Sequence, residues 1–179
     1  DGVALSDFGV SGKILKRNSP TLTNVSLQEE FFWDGGAHDL VSQVLGPLTS
    51  EDEMNMTLLV MLDYLASDVD YMNSFNSIYN TNEIKVGYVQ DALVDFQSKL
   101  ISNNSRHDQY LQNPTLFSSE ELAGELVFTQ NCASCHSNLD FRDGRYHNNG
   151  LDTDVSFTNP EDENWGRFRI TKDSRDVAC

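Results

Sequence analysis

The spacing of apolar residues changes twice along the chain, and each change marks a boundary. Residues 1–36 carry no lasting stripe and are interrupted by Gly2, Gly9, Gly12, Pro20, Gly35 and Gly36, so they read as loop. From Ala37 the pattern becomes helical. Leu40, Val41, Val44 and Leu45 make one short face that Gly46-Pro47 is expected to stop. Met54, Leu58, Met61, Leu62 and Leu65 recur at three and four and predict a second helix, and a third falls near Tyr71–Tyr79. Val86, Val89, Ala92, Leu93, Phe96 and Leu100 form the clearest amphipathic helix, ended by Asn103-Asn104. A polar linker with Pro114 follows. Ser118-Ser-Glu-Glu121 then has the form of a capping box, with Ser118 as N-cap, and opens a helix through Leu122, Leu126 and Phe128. The remainder is rich in Asn, Asp and Gly. No sequence repeats and no sheet is predicted. The expected class is mainly α, with a domain boundary between about 103 and 117, dividing the chain into 1–110 and 111–179.

Composition narrows this picture. The 179 residues suit one ordinary domain or two small ones, and 39% hydrophobic residues can form a core that a large apolar cofactor would extend. No apolar run reaches the 18 residues a membrane span needs; Leu58–Leu62 is the longest. The first residues, Asp-Gly-Val-Ala, are not a signal peptide, so any targeting segment is expected upstream or already removed. A net charge of −16 argues against nucleic acid, because phosphate binding needs clustered Lys and Arg. So much acid is either an ordinary solvated surface or a field that steers a basic partner. Composition alone leaves both open.

The candidate chemistry lies at Cys132-Ala-Ser-Cys135-His136. Two thiols separated by two residues can add across the two vinyl groups of haem, and the next residue, His136, then falls beneath the iron as axial ligand. A zinc site using Cys132, Cys135, a His and Cys179 is an alternative, but the sequence lacks a second paired motif. A thioredoxin-like redox pair would need a βαβ context that is absent. Three cysteines do not make a disulfide framework, and the last of them, Cys179, reads as an incidental thiol. The four methionines, Met54, Met56, Met61 and Met72, all precede the motif and read as core residues rather than iron ligands. His147 follows His136 too closely to return to the opposite haem face, so a sixth ligand is expected beyond residue 179. Covalent haem attachment is made outside the cytoplasm, which points to the periplasm.

Several strings, in order, resemble the bacterial di-haem cytochrome c peroxidase family, which includes the MauG-like oxidases. They are Arg17-Asn-Ser-Pro-Thr-Leu22, Phe32-Trp-Asp-Gly35, Gln43-Val-Leu-Gly-Pro-Leu48, Glu53-Met54, the Cys132 motif and Tyr146-His-Asn-Asn-Gly-Leu151. The resemblance implies two cytochrome c-like haem domains, one with a peroxidatic haem and one that takes up electrons. It makes this chain look like the middle of such a protein, with the haem on Cys132, Cys135 and His136 as the electron-accepting one and the peroxidatic haem attached upstream. Alone, the chain would then lack one haem and a distal ligand.

Residue roles follow from the same resemblance. Trp33 would couple the two haems, and Gln43 and Glu53 would face the peroxide. A carboxylate such as Glu53 can move a proton between the two oxygens, for about 10²–10⁴ in rate. Each has an ordinary alternative: Trp33 as core beside Phe31 and Phe32, Gln43 as an exposed helix residue, and Glu53 as an acid favouring a helix N-terminus. Asn18 would contribute to a calcium site, although Asn beside Ser-Pro is also a common turn. Two departures from the family pattern stand out. Many members carry a distal His in the loop before the Arg17-Asn-Ser-Pro segment, but no His occurs before His38 here, and Gly36 follows Trp-Asp-Gly where Arg is common. The expected function is reduction of hydrogen peroxide to water with electrons from a small cytochrome c or cupredoxin, in a protein whose relatives often form homodimers. The alternatives are a MauG-like haem oxidase and a non-enzymatic electron-transfer cytochrome.

Overall fold

The computed structural model describes residues 8–15, 17–148 and 165–176. Among these the chain is helical, with only isolated antiparallel bridges, Phe8 with Ile14 and Phe31 with Ala37. The α-helices are α1 (Leu40–Gln43), α2 (Leu45–Thr49), α3 (Leu58–Ser67), α4 (Val69–Tyr79), α5 (Val86–Ser98), α6 (Arg106–Gln112), α7 (Ser119–Asn131) and α8 (Phe168–Thr171). The chain forms two compact units, residues 1–100 with 148–179, and residues 101–147.

In the larger unit three helix starts, those of α1, α3 and α4, are capped by a side chain. Asp39 caps α1 by accepting from Ser42 N at 2.6 Å, which holds its carboxyl below the usual range. Thr57 caps α3 through Val60 N, and Asp68 caps α4 through Asp70 N and Tyr71 N. Asn80, at φ 50°, ends α4 in the left-handed region that Asn tolerates. Two apolar clusters form the core. Val25, Phe31, Ala37 and Leu40 make one, with Phe32 and Val94 against it. Met61, Ile84 and Val89 make the other, flanked by Leu48, Met56, Leu62, Met72 and Leu93 among others. Helix α5 serves both, since Val94 faces the first and Val89 and Leu93 the second, as spacing of four and five along one helix allows.

Three expectations need correcting. Gly46-Pro47 does not stop the helical path: α2 runs through it, because Pro47 lies in the first turn, where no intrahelical donor is required. Met54 does not belong to α3. It sits in a turn 46% exposed, and Asn55 at φ 47° breaks the path before Thr57 starts the helix. The other three methionines do line the second cluster. Third, the polar stretch 103–117 contains a helix, α6, opened by a capping box in which Ser105 and Asp108 bond each other's backbone N–H.

The smaller unit is built from α6 and α7. Ser118 and Glu121 form the predicted capping box of α7. Arg106 pairs with Glu121 and donates to Leu116 O at 2.8 Å, while the Tyr110 hydroxyl donates to Glu125 at 3.0 Å. Tyr110 stacks on Phe117 with ring centroids 3.8 Å apart. No side chain between 101 and 147 is fully buried.

Candidate haem site

Helix α7 delivers the cysteine motif. Its last turn ends as Cys132 N and Ala133 N both donate to Phe128 O, at 2.8 and 3.1 Å. The motif itself is one further turn, closed by Cys135 N and His136 N on Cys132 O at 3.1 and 2.9 Å. Both thiols are free, Cys132 half-buried and Cys135 exposed. His136 Nδ1 lies 3.0 Å from Phe141 O. A carbonyl can only accept, so Nδ1 carries the proton and Nε2 keeps its lone pair for a metal. Beyond the turn, Asp143 gathers the Arg145 N–H, the Arg145 guanidinium and His147 Nε2, the last at 2.8 Å. The Arg145 backbone N–H leads in pulling its carboxyl down to about 2. His147 is thus engaged with Asp143.

Haem c fits these residues. Two free thiols on one turn and an imidazole with its far nitrogen fixed are the donor set that the group takes. The unit also offers apolar surface: Leu122, Leu126, Val127 and Phe141 are 40–58% exposed.

The other candidates lie in the larger unit, on three separate segments, and no described hydrogen bond joins the side chains of Trp33, Gln43 and Glu53. Trp33 sits on the short loop between Phe31 and Ala37, where Phe32 at φ 65° and Gly35 at φ 73° allow the reversal. Phe31 is the core residue of this loop; the Trp33 ring is 57% exposed, and its Nε1 donates to Asn18 O at 2.6 Å. That bond brings together two of the sequence candidates, Trp33 and Asn18. Arg17 pairs with Asp34 at 2.9 Å, and Arg167 reaches Glu30 and the Asp34 carbonyl. Both guanidiniums bond Asp34 of the loop that also holds Gly36. Arg167 was not legible as a site residue, because its partners lie 133 and 137 residues away and no local motif marks it.

Gln43 ends α1 half-buried, and its Oε1 is buried with no hydrogen-bond partner. Such an atom is uncommon in a folded protein, and a ligand or water is its usual partner. Glu53 is half-buried in the turn after α2. Helix α3 begins with its cap at Thr57, so Glu53 is outside the reach of that helix's dipole. Its backbone is held from both sides: Glu53 N donates to Ser50 O at 3.1 Å and Glu53 O accepts from Val10 N at 2.8 Å. Cys179 and part of the Tyr146–Leu151 string lie outside the described residues.

Helical units of this kind, one of them carrying Cys-x-x-Cys-His, define a cytochrome c-like haem protein. The chain belongs to the di-haem cytochrome c peroxidase family, whose profile matches residues 1–115. It is 27% identical over 161 residues to the cytochrome c551 peroxidase of Nitrosomonas europaea, covering 89% of this chain and 47% of that protein. It is 32% identical over 141 residues to the methylamine utilization protein MauG of Methylorubrum extorquens, covering 76% and 40%. The fold resembles the crystal structure of a MauG-like protein associated with microbial copper homeostasis, with a TM-score of 0.79 at 22% identity, over 97% of this chain and 56% of that one. The chain therefore spans about half the length of the curated relatives it matches. No described helix is long and apolar enough to cross a membrane.

Proposed function

We propose that this chain is part of a periplasmic di-haem peroxidase that reduces hydrogen peroxide to two waters, with two electrons from a small cytochrome c or cupredoxin and two protons. The observation that carries the reading is the Cys132–His136 turn, with two free thiols and an imidazole whose Nδ1 is fixed by Phe141 O. Cys132 and Cys135 would hold haem through thioether bonds and His136 would bind its iron. When bound, haem supplies the redox-active metal. The protein's own residues do the rest. Glu53, with its backbone held by Ser50 and Val10, moves a proton between the peroxide oxygens. Gln43 offers an unpaired amide oxygen to a peroxide or water hydrogen. Trp33, exposed and fixed at Nε1, couples the haem domains. Asn18 contributes an oxygen to a calcium ion.

A MauG-like oxidase is the second reading, favoured by the 32% identity to MauG and by the lack of a His among residues 1–16, in the loop before Arg17-Asn-Ser-Pro. The complete native protein decides. Alkaline pyridine spectroscopy should count two haems, and reduced cytochrome c should be consumed with peroxide. A covalently altered substrate without peroxidase turnover would favour the oxidase, and haem without any turnover would leave a simple electron carrier. Colourless protein, or zinc on the thiols, would remove all three readings.

A further inference from the structure

The carbonyl that holds His136 belongs to a residue in an unfavourable backbone conformation. Phe141 is at φ 57°, where an aromatic side chain is disfavoured unless its surroundings hold it there. The loop that presents it is tight: Phe141 N donates to Asn138 O at 3.3 Å, and Asn138 Nδ2 donates to Arg142 O at 3.1 Å. Two rings grip the Phe141 side chain. Phe128 meets it edge-on at 5.5 Å and 87°, and His107 lies against it at 5.1 Å. His107 comes from α6 and is itself backed by Phe117 at 6.3 Å. Its Nδ1 is buried without a hydrogen-bond partner, so the ring acts here by packing. Phe128 does two things at once, since its own carbonyl closes the turn that carries Cys132.

We propose that His107 and Phe128 are positioning residues that clamp Phe141 in its left-handed conformation, aim its carbonyl at His136 Nδ1, and thereby set the redox equilibrium of the iron that His136 binds. The inference rests on the haem reading above. A hydrogen bond from Nδ1–H makes the imidazole a stronger donor. Stronger donation favours the more highly charged ferric iron. Loosening the clamp weakens that bond and shifts the equilibrium toward ferrous iron. One neutral hydrogen bond corresponds to a change of roughly threefold to tenfold in that equilibrium constant.

The test uses the full holoprotein in spectroelectrochemical titration. The wave of interest is the one missing from a Cys132→Ala/Cys135→Ala variant. His107→Ala and Phe128→Leu should each shift it at least about threefold toward the ferrous state, whereas His107→Phe, which keeps a packing ring, should titrate like the native protein. The ¹⁵N signal of His136 Nδ1 should move in the first two variants and not in the third. Phe128→Leu decides the matter if His107→Ala fails to attach haem. Haem retained in all variants with an unchanged wave would overturn the clamp and leave the haem assignment standing. An equal shift in His107→Phe and His107→Ala would also overturn it. Native protein without haem on Cys132 and Cys135 would overturn both.

Discussion

Glu53 and Gln43 differ in how the protein holds them, and the difference bears on what each can do. The Glu53 backbone is fastened by Ser50 and Val10, while its side chain stays half-buried in a turn too far from the α3 cap to serve that helix. A carboxylate so placed suits proton transfer, so Glu53→Gln in the complete protein should lower kcat/KM for peroxide by about 10²–10⁴ while leaving haem content intact. A steady-state peroxide assay at saturating donor checks this; a loss below a few fold would remove Glu53 from the chemistry. Single residues were partly legible in the sequence. The family resemblance singled out Trp33, Gln43 and Glu53, but only the structure separates Trp33 from its core neighbour Phe31 and finds the buried, unpaired Gln43 oxygen. Sequence spacing carries no information on which of two aromatics, such as Phe31 and Trp33, turns inward when the residue between them is at positive φ.

At the scale of elements, capping chemistry decides what could be read. The α7 start was visible because Ser118 and Glu121 stand immediately before an apolar run. The α6 start, Ser105 with Asp108, uses the same arrangement. It was hidden because Arg106–Gln112 has almost no apolar stripe, and its stability comes from contacts with Glu121, Glu125 and Phe117 that are distant in sequence. Those contacts set a pH dependence. Arg106 leads in pulling the Glu121 carboxyl from its ordinary 4.5 to about 2. A depressed carboxylate stabilises the folded state fully above its ordinary value, and that contribution is lost as the pH falls through about 2. Amide protection factors of α6 and α7, taken relative to intrinsic exchange at each pH, should therefore fall between pH 4.5 and 2, and Arg106→Met should weaken that dependence. The loop at Phe8–Ile14 makes a different case. A Cβ on Gly9 would lie 1.6 Å from Asp52 O, a backbone atom that cannot swing aside. Gly9→Ala should release this loop from the Glu53 turn, seen as lost exchange protection of Val10 N–H, whose acceptor is Glu53 O.

Taken as whole molecules, the two units owe their stability to different sources. The larger one closes two apolar clusters around α5, so its helices have a conventional core. The smaller one, 101–147, is held by aromatic stacking and by the Arg106 and Tyr110 bonds across α6 and α7, with no fully buried side chain. Surface pairs of that kind contribute little each. Apolar burial is the stronger term: covering four half-exposed side chains such as Leu122, Leu126, Val127 and Phe141 is worth about 3–6 kcal/mol, half the value for full burial. Haem held by Cys132 and Cys135, as proposed above, would be a surface of the right character to supply it. Replacing both cysteines with Ser should therefore destabilise 101–147 by several kcal/mol while sparing the larger unit. Exchange protection of α7 should collapse, and that of α3 and α5 should persist. Equal loss in both units would mean that they fold as one, and no loss in either would mean that the aromatic contacts suffice without haem.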